Sequence, residues 1–110
     1  MYCRSALFIG TIEPEKMAEF KTQLEGDVAK AILKFPGIKG LQMKWSKEID
    51  DGGPSLLLTL EHYYASKLDL EHALASEARA GSHAALKPVM PFFRGEVFHV
   101  NSDVSIFDCS

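Results

Sequence analysis

Three polar side chains of this 110-residue sequence have neighbours that suit acid–base chemistry. His62 lies in an apolar segment, and His83 lies at the edge of a helical face that also carries Leu86. An imidazole among apolar neighbours titrates near neutral pH and can act as an acid, a base or a ligand. Asp27 lies at the margin of an apolar stripe with helical spacing, where a carboxylate could face a cavity and act as a base. We therefore predict His62, His83 and Asp27 as candidate catalytic residues.

Each of these residues also has a purely structural interpretation. His62 could be a hydrogen-bonded core histidine, and His83 could lie on the surface. Asp27 could be a rim residue whose carboxylate reaches water. His72, which follows Glu71, is interpreted as solvated.

Aromatic residues and a further histidine supply the walls of a hydrophobic pocket. We predict that Trp45, Tyr64 and His99 line this pocket, although such aromatic residues also form cores and dimer interfaces. His99 alternates with apolar residues in its strand, so that it could point to either face. Arg4, near the start of the first apolar segment, could bind a carboxylate or an enolate, or reach solvent.

Motifs that hold metals or cofactors are missing from the sequence. It has no paired-cysteine or closely spaced histidine pair of the zinc type, no phosphate-binding loop and no nucleophile elbow. We therefore expect no metal and no cofactor. Haem is a weaker alternative, for which His62, His83 or His99 could be an axial ligand.

The composition is typical of one soluble domain. With 46% hydrophobic and 25% charged residues, residues 1–110 are expected to form a single domain with its own core. A net charge of −3 favours neither nucleic acid nor an anionic membrane surface as a partner, and no apolar run is long enough to cross a membrane. The first residues lack a signal-peptide pattern, so we expect a cytoplasmic protein in which Cys3 and Cys109 are free thiols.

Hydrophobic periodicity predicts the elements that must position these side chains. The segment Cys3–Thr11 is predicted to be the first strand. A helix is predicted to begin at Pro14, with apolar residues spaced by three and four, and to end at Pro36-Gly37. The strands Ile38–Glu48 and Ser55–Tyr64 follow and are expected to form an antiparallel hairpin.

The second half of the chain repeats the alternation of helix and strand. A helix is predicted from Ser66, in a capping-box-like sequence, to about Ala75. Gly81 is expected to interrupt the helical region, and a further helical piece begins at Ser82. The segment Phe93–Asn101 is predicted to be the last strand.

The order strand, helix, strand, strand, helix, strand predicts an α+β, ferredoxin-like βαββαβ fold. In this arrangement a four-stranded antiparallel sheet carries both helices on one face. The strand Ser55–Tyr64 looks apolar on both sides, so its open face needs a cover. A second copy of the chain is the expected partner, which makes the protein a homodimer.

Four short stretches of the sequence resemble the EthD-like proteins of the dimeric α/β-barrel superfamily. They lie at helix ends and strand ends in the predicted order: F-P-G-I (Phe35–Ile38), E-H-Y-Y (Glu61–Tyr64), A-L-A-S (Ala73–Ser76) and M-P-F-F (Met90–Phe93). The resemblance covers almost the whole chain, and its motifs are mainly structural.

The resemblance implies a homodimer whose two sheets pair into an α/β barrel, with a small hydrophobic pocket in each subunit. It implies binding of a small hydrophobic aromatic or carbonyl compound, with cofactor-independent monooxygenase or isomerase activity in a degradation or secondary pathway. The alternative is a noncatalytic ligand-binding or accessory module. The family often has a histidine near the end of the first helix, where this sequence has Val28. The neighbouring Asp27 is therefore a hypothetical substitute for that histidine.

Overall fold

A computed structural model describes residues 1–109 as one four-stranded sheet with helices on one face. The strands are β1 (Tyr2–Ile12), β2 (Gly40–Trp45), β3 (Leu56–Tyr64) and β4 (Phe93–Asp103). The helices are α1 (Pro14–Gln23), α2 (Ala29–Ile32), α3 (Lys67–Leu74) and α4 (Ala78–Leu86). A π-helical segment, Leu24–Val28, joins α1 to α2, and a 3₁₀ turn, Met90–Phe92, precedes β4.

The sheet has the strand order β2-β3-β1-β4, and every neighbouring pair is antiparallel. This is the topology expected of the βαββαβ order. Near one end of the β1–β4 pair, Gly10 lies directly opposite Gly95. A Cβ atom on either residue would collide with the backbone of the other strand, so the two glycines permit a close approach that side chains would prevent.

The hydrophobic core lies between the helices and one face of the sheet. Its larger cluster joins Phe8 and Leu58 of the sheet to Phe20, Leu24 and Val28 of the first helical region. A second cluster lies under α3, and its buried members are Phe35, Tyr64, Leu70 and Ala73. Since only one face of the sheet carries helices, the side chains on its other face, the open face, are not covered by this core.

The first helical region begins at Pro14, as predicted, but it ends at Ile32, before the predicted end at Pro36-Gly37, and it is not a uniform α-helix. Its buried residues Phe20, Leu24, Val28 and Ile32 are each four positions apart. In an α-helix such a row drifts by about 40° per step. The wider π segment, Leu24–Val28, reduces this drift, so the row stays on the core side.

Three other predicted features differ in the structure. Strand β2 is shorter than the predicted Ile38–Glu48. Helix α4 contains Gly81, which was expected to interrupt the helix, and its glycine Cα faces open space. The interpretation of β3 as apolar on both faces is wrong, because its open face carries Thr59, Glu61 and Tyr63.

The start of the third helix agrees with its predicted cap. The Ser66 hydroxyl accepts a hydrogen bond from the Asp69 backbone N–H at 3.2 Å, which satisfies a donor at the helix N-terminus. In residues 1–109, no helix combines the length and the apolar character that crossing a membrane requires.

Candidate functional site

A cavity of about 740 Å³ lies between the helices and the covered face of the sheet. Its walls are mainly apolar side chains from both layers: Ala6, Phe8, Leu60 and Val97 from the strands, and Ile32, Phe35, Leu74, Leu86, Met90 and Pro91 from the helical side. A cavity of this size and character is suited to a small organic ligand.

Strand register brings three polar side chains of the sheet into this cavity. Arg4 is paired with His62 on one side of β1, and Ala6 is paired with His99 on the other. Since residues two apart on a strand share a face, Arg4, His62 and His99 all point toward the helices. All three line the cavity.

Helix α4 supplies the polar groups on the opposite wall. Arg79 and His83 are four residues apart and therefore lie on the same side of the helix. Both line the cavity, together with Ser82 and Lys87. His62, His83 and His99, which are far apart in the sequence, thus converge on one space.

The hydrogen bond between His62 and Tyr64 bears on which imidazole nitrogen of His62 carries the proton. The distance from His62 Nδ1 to the Tyr64 hydroxyl oxygen is 2.7 Å, and Tyr64 is fully buried. Burial raises the pKa of Tyr64 to about 12, so the hydroxyl keeps its proton. Within residues 1–109, Nδ1 is the hydrogen-bond partner of this hydroxyl. We infer that the hydroxyl donates to Nδ1, because a buried O–H that only accepted would have no acceptor of its own.

His62 is a neutral imidazole at pH 7, and with the Tyr64 hydroxyl as the donor we infer that its proton is on Nε2. Burial lowers the pKa of His62 to about 4, and the nearby Arg4 charge and His99 act in the same direction. The Phe35 ring packs against the imidazole at a centroid distance of 5.7 Å, which limits rotation of the imidazole. At neutral pH His62 is thus a hydrogen-bond donor through Nε2–H and is poorly suited to act as a base.

His99 is also shifted toward the neutral form, although its side chain is much more exposed than that of His62. Burial lowers the pKa of His99 below its ordinary value, and Arg4, Arg79 and His83 lower this pKa further. His99 is therefore neutral at pH 7 and can accept a proton. His83 lines the cavity and is also exposed to solvent, so it can connect the cavity with water.

The structure separates Asp27 and Trp45 from the three histidines. Asp27 is exposed within the π segment and does not line the cavity. Its predicted direction assumed a uniform α-helix, which the π segment changes. Trp45 also lies outside the cavity, where its Nε1–H donates to Glu25 Oε2 at 3.0 Å and its ring packs edge-on against Phe20.

The other predicted positions lie in or next to the cavity. Tyr64 does not line the cavity itself, but its hydroxyl is hydrogen-bonded to the lining residue His62. Arg4 lines the cavity instead of pointing only to solvent. Arg79 was not predicted, because a charged helix residue is usually solvated; its spacing of four from His83 was the available signal.

Comparison with known proteins supports the fold. No protein-family model matches the sequence, and a search of curated proteins finds no match. Solved structures do match over almost the whole chain. An EthD family protein from Bacillus halodurans has a TM-score of 0.71 and 20% identity, with 96% of this chain and 99% of that chain covered.

Two further structures are oxygenases by name. An antibiotic biosynthesis monooxygenase has a TM-score of 0.61 and 15% identity, over 96% of this chain and 100% of that chain. A mutant of SnoaB, a cofactor-independent oxygenase from Streptomyces nogalater, has a TM-score of 0.62 and 15% identity, over 96% and 94% of the two chains. The chain has the ferredoxin-like fold of these proteins. The resemblance in the sequence is thereby confirmed at the level of the fold.

Acid should reduce the stability of the protein through His62. The unfolded chain binds a proton near the ordinary pKa of 6.5, but the folded chain does so only near a pKa of about 4. Stability is therefore complete above about pH 6.5 and falls as the pH decreases toward 4, by about 2.5 kcal/mol at pH 4.5. Urea unfolding at pH 7 and pH 4.5 should show a smaller loss in His62→Gln than in the wild type. His72→Gln, at an exposed position, is the control, and equal losses in His62→Gln and wild type would contradict the assignment.

The protonated nitrogen of His62 can be identified by NMR. In long-range ¹H–¹⁵N spectra at pH 7, we expect Nε2 at the position of a protonated nitrogen and Nδ1 at that of an unprotonated one. Tyr64→Phe removes the hydroxyl that donates to Nδ1, so this variant should show a mixture of the two tautomers. A proton on Nδ1 in the wild type would show that the Tyr64 hydroxyl is the acceptor.

Proposed function

We propose that the protein binds a small hydrophobic aromatic or carbonyl compound in this cavity and transfers a proton at a carbon next to the carbonyl group. The observation that carries the proposal is the convergence of His62, His83 and His99 on one mainly apolar cavity. Dispersed histidines would have favoured a structural or binding role. Their convergence supports acid–base chemistry on an organic molecule bound in this cavity.

The chemical states of the histidines suggest a division of roles. His99 accepts the proton when the C–H bond breaks, and the electron pair of that bond moves to the carbonyl oxygen as an enolate. The Nε2–H of His62 donates a hydrogen bond to this oxygen and stabilises its charge, as in an oxyanion hole. His83 exchanges the proton with solvent. His62 is assigned the donor role rather than that of the base, because Tyr64 occupies its Nδ1.

The enolate has two outcomes that need no cofactor. Return of the proton to a different carbon completes an isomerisation. Reaction with O₂ at a CH₂ carbon completes an oxygenation, in which one oxygen atom becomes a new carbonyl oxygen and the other leaves as water with both hydrogens. The shared fold with the cofactor-independent oxygenase SnoaB supports the second outcome. A role in a degradation or secondary pathway fits either reaction.

A noncatalytic ligand-binding or accessory role is the second candidate. It is favoured by the position of Asp27, which does not supply the cavity with the carboxylic acid that the sequence predicted. Binding alone would require only the apolar walls and would place no demand on the protonation state of His99.

We also propose that the functional unit is a homodimer that pairs through the open face of the sheet. On this face Phe98 and Val100 of β4 are 50% and 44% exposed, and they lie next to Leu7 and Ser5 of β1. An apolar strip of this kind is typical of an interface between copies. We propose in addition that residues 1–110 form a single domain and that the protein is cytoplasmic.

Anthrone is a suitable probe of the reaction, because its CH₂ group is activated by an aromatic carbonyl. The enzyme should convert anthrone and O₂ into anthraquinone and water, and without O₂ it should exchange the CH₂ hydrogens with D₂O. His99→Asn should lower both rates about 10²- to 10⁴-fold, the usual contribution of a general base. Absorbance follows the first reaction and NMR the second.

The double variant His62→Ala/His83→Ala should lose turnover, and His72→Ala is the matched control on the surface. Full activity of the double variant would refute the assignment of both histidines. Binding of anthrone without exchange or oxidation in the wild type would favour the noncatalytic role.

Light scattering after size-exclusion chromatography tests the dimer. We expect twice the chain mass of 12.2 kDa. The variant Phe98→Lys/Val100→Lys places two charges on the apolar strip and should yield monomers. Leu33→Lys, at an exposed apolar residue of the helical side, should remain dimeric. A wild-type monomer at micromolar concentration would contradict the proposal.

A further inference from the structure

The polar residues that line the cavity are basic or neutral. Arg4, Arg79 and Lys87 line it together with the three histidines, and none of the lining residues is an aspartate or a glutamate. The cavity thus combines positively charged side chains with mainly apolar walls. Low-dielectric walls strengthen the field of charges that they surround.

Arg4 and Arg79 have no carboxylate partner within the part of the chain that the structure describes. The ion pairs found in residues 1–109 join Lys44 to Glu61, Lys67 to Glu71, and Arg94 to Glu13. Burial lowers the pKa of Arg4, and the charge of Arg79 lowers this pKa further. The two guanidinium groups therefore repel each other, and no acidic side chain of residues 1–109 forms an ion pair with either of them.

Neutral acceptors hold both guanidinium groups in place. Arg4 Nη1 donates to Asn101 Oδ1 at 3.0 Å, and Arg79 Nη1 donates to the Leu74 carbonyl oxygen at 3.4 Å. Each guanidinium has five N–H donors in a rigid planar group, so most donors remain available. Two such groups that line one cavity can together bind the two oxygens of a carboxylate.

We propose that the ligand of this cavity is an organic carboxylate, an apolar aromatic body with one carboxylate group bound between Arg4 and Arg79. This inference rests on the proposed binding of a small aromatic or carbonyl compound and specifies its charge. The aromatic body packs against apolar wall residues such as Phe8 and Leu60. The carboxylate takes the place of the acidic partner that the two arginines lack in the chain.

The position of the carboxylate leaves the acid–base groups free. His62 retains its Nε2–H for the carbonyl oxygen, and His99 retains its unprotonated nitrogen for the proton. A substrate that carries both a carboxylate and a carbonyl group would thus be held at two points, which fixes the orientation of its reacting carbon.

A matched pair of probes, 2-naphthoate and 2-naphthamide, tests the inference by isothermal titration calorimetry. The two molecules share the ring system and differ in charge. Because hydrogen bonds to charged groups contribute about 1.5–3 kcal/mol, naphthoate should bind about 10- to 100-fold more tightly than naphthamide. Arg4→Gln and Arg79→Gln should each remove most of this preference while naphthamide binds as before. Arg94→Gln is the control and should keep the preference for naphthoate, because Arg94 is paired with Glu13 and does not line the cavity.

Other results of these titrations would contradict either the carboxylate inference or the proposed binding function. Equal affinity for the two probes in the wild type would overturn the carboxylate inference and leave the proposed binding function intact. A preference that survives in both Arg4→Gln and Arg79→Gln would place the anion elsewhere and also overturn the inference. If neither probe binds and anthrone does not bind, the proposed function itself fails. If Arg4→Gln does not fold, Arg79→Gln, at a half-buried position, carries the test instead.

Discussion

The register of β1 with its two neighbours is the constraint on which the site depends. It pairs Arg4 with His62 and Ala6 with His99, so that side chains from three strands enter one cavity. A slip of one residue would turn each of these side chains to the other face. The core residue Phe8 lies on the same face as Arg4 and Ala6, so that the packing that stabilises the fold also positions the polar groups. Gly10 and Gly95 support this register, because only residues without side chains fit where the two strands approach.

Burial then determines what the positioned groups can do. The same apolar surroundings keep the proton on the Tyr64 hydroxyl and keep His62 neutral, and the hydrogen bond between them holds the imidazole in place. The arginines keep their charge because a guanidinium is far more basic than an imidazole. The cavity therefore contains the neutral imidazoles of His62 and His99 together with charged arginines. This combination suits an anion whose neighbouring carbon gains and loses a proton.

The sequence predicted most of the fold, because the apolar pattern of each element is local. The period of two in β2 and the caps of the helices depend on neighbouring residues only. Convergence of the histidines could not be predicted, since it depends on the register between strands that are distant in the sequence. Asp27 was misplaced because a π segment cannot be recognised from a spacing of three and four. Arg79 was overlooked because its neighbours in the sequence do not indicate that its helix faces a cavity.

Alternate residues of β1 belong to two separate environments. Arg4, Ala6 and Phe8 face the cavity, whereas Cys3, Ser5 and Leu7 lie on the open face. The cavity is lined by residues of one chain, so a second copy on the open face would not need to complete it. Natural variation at one set of positions can therefore change ligand preference, while variation at the alternate set changes self-association. The two properties can evolve independently although they are encoded by adjacent codons.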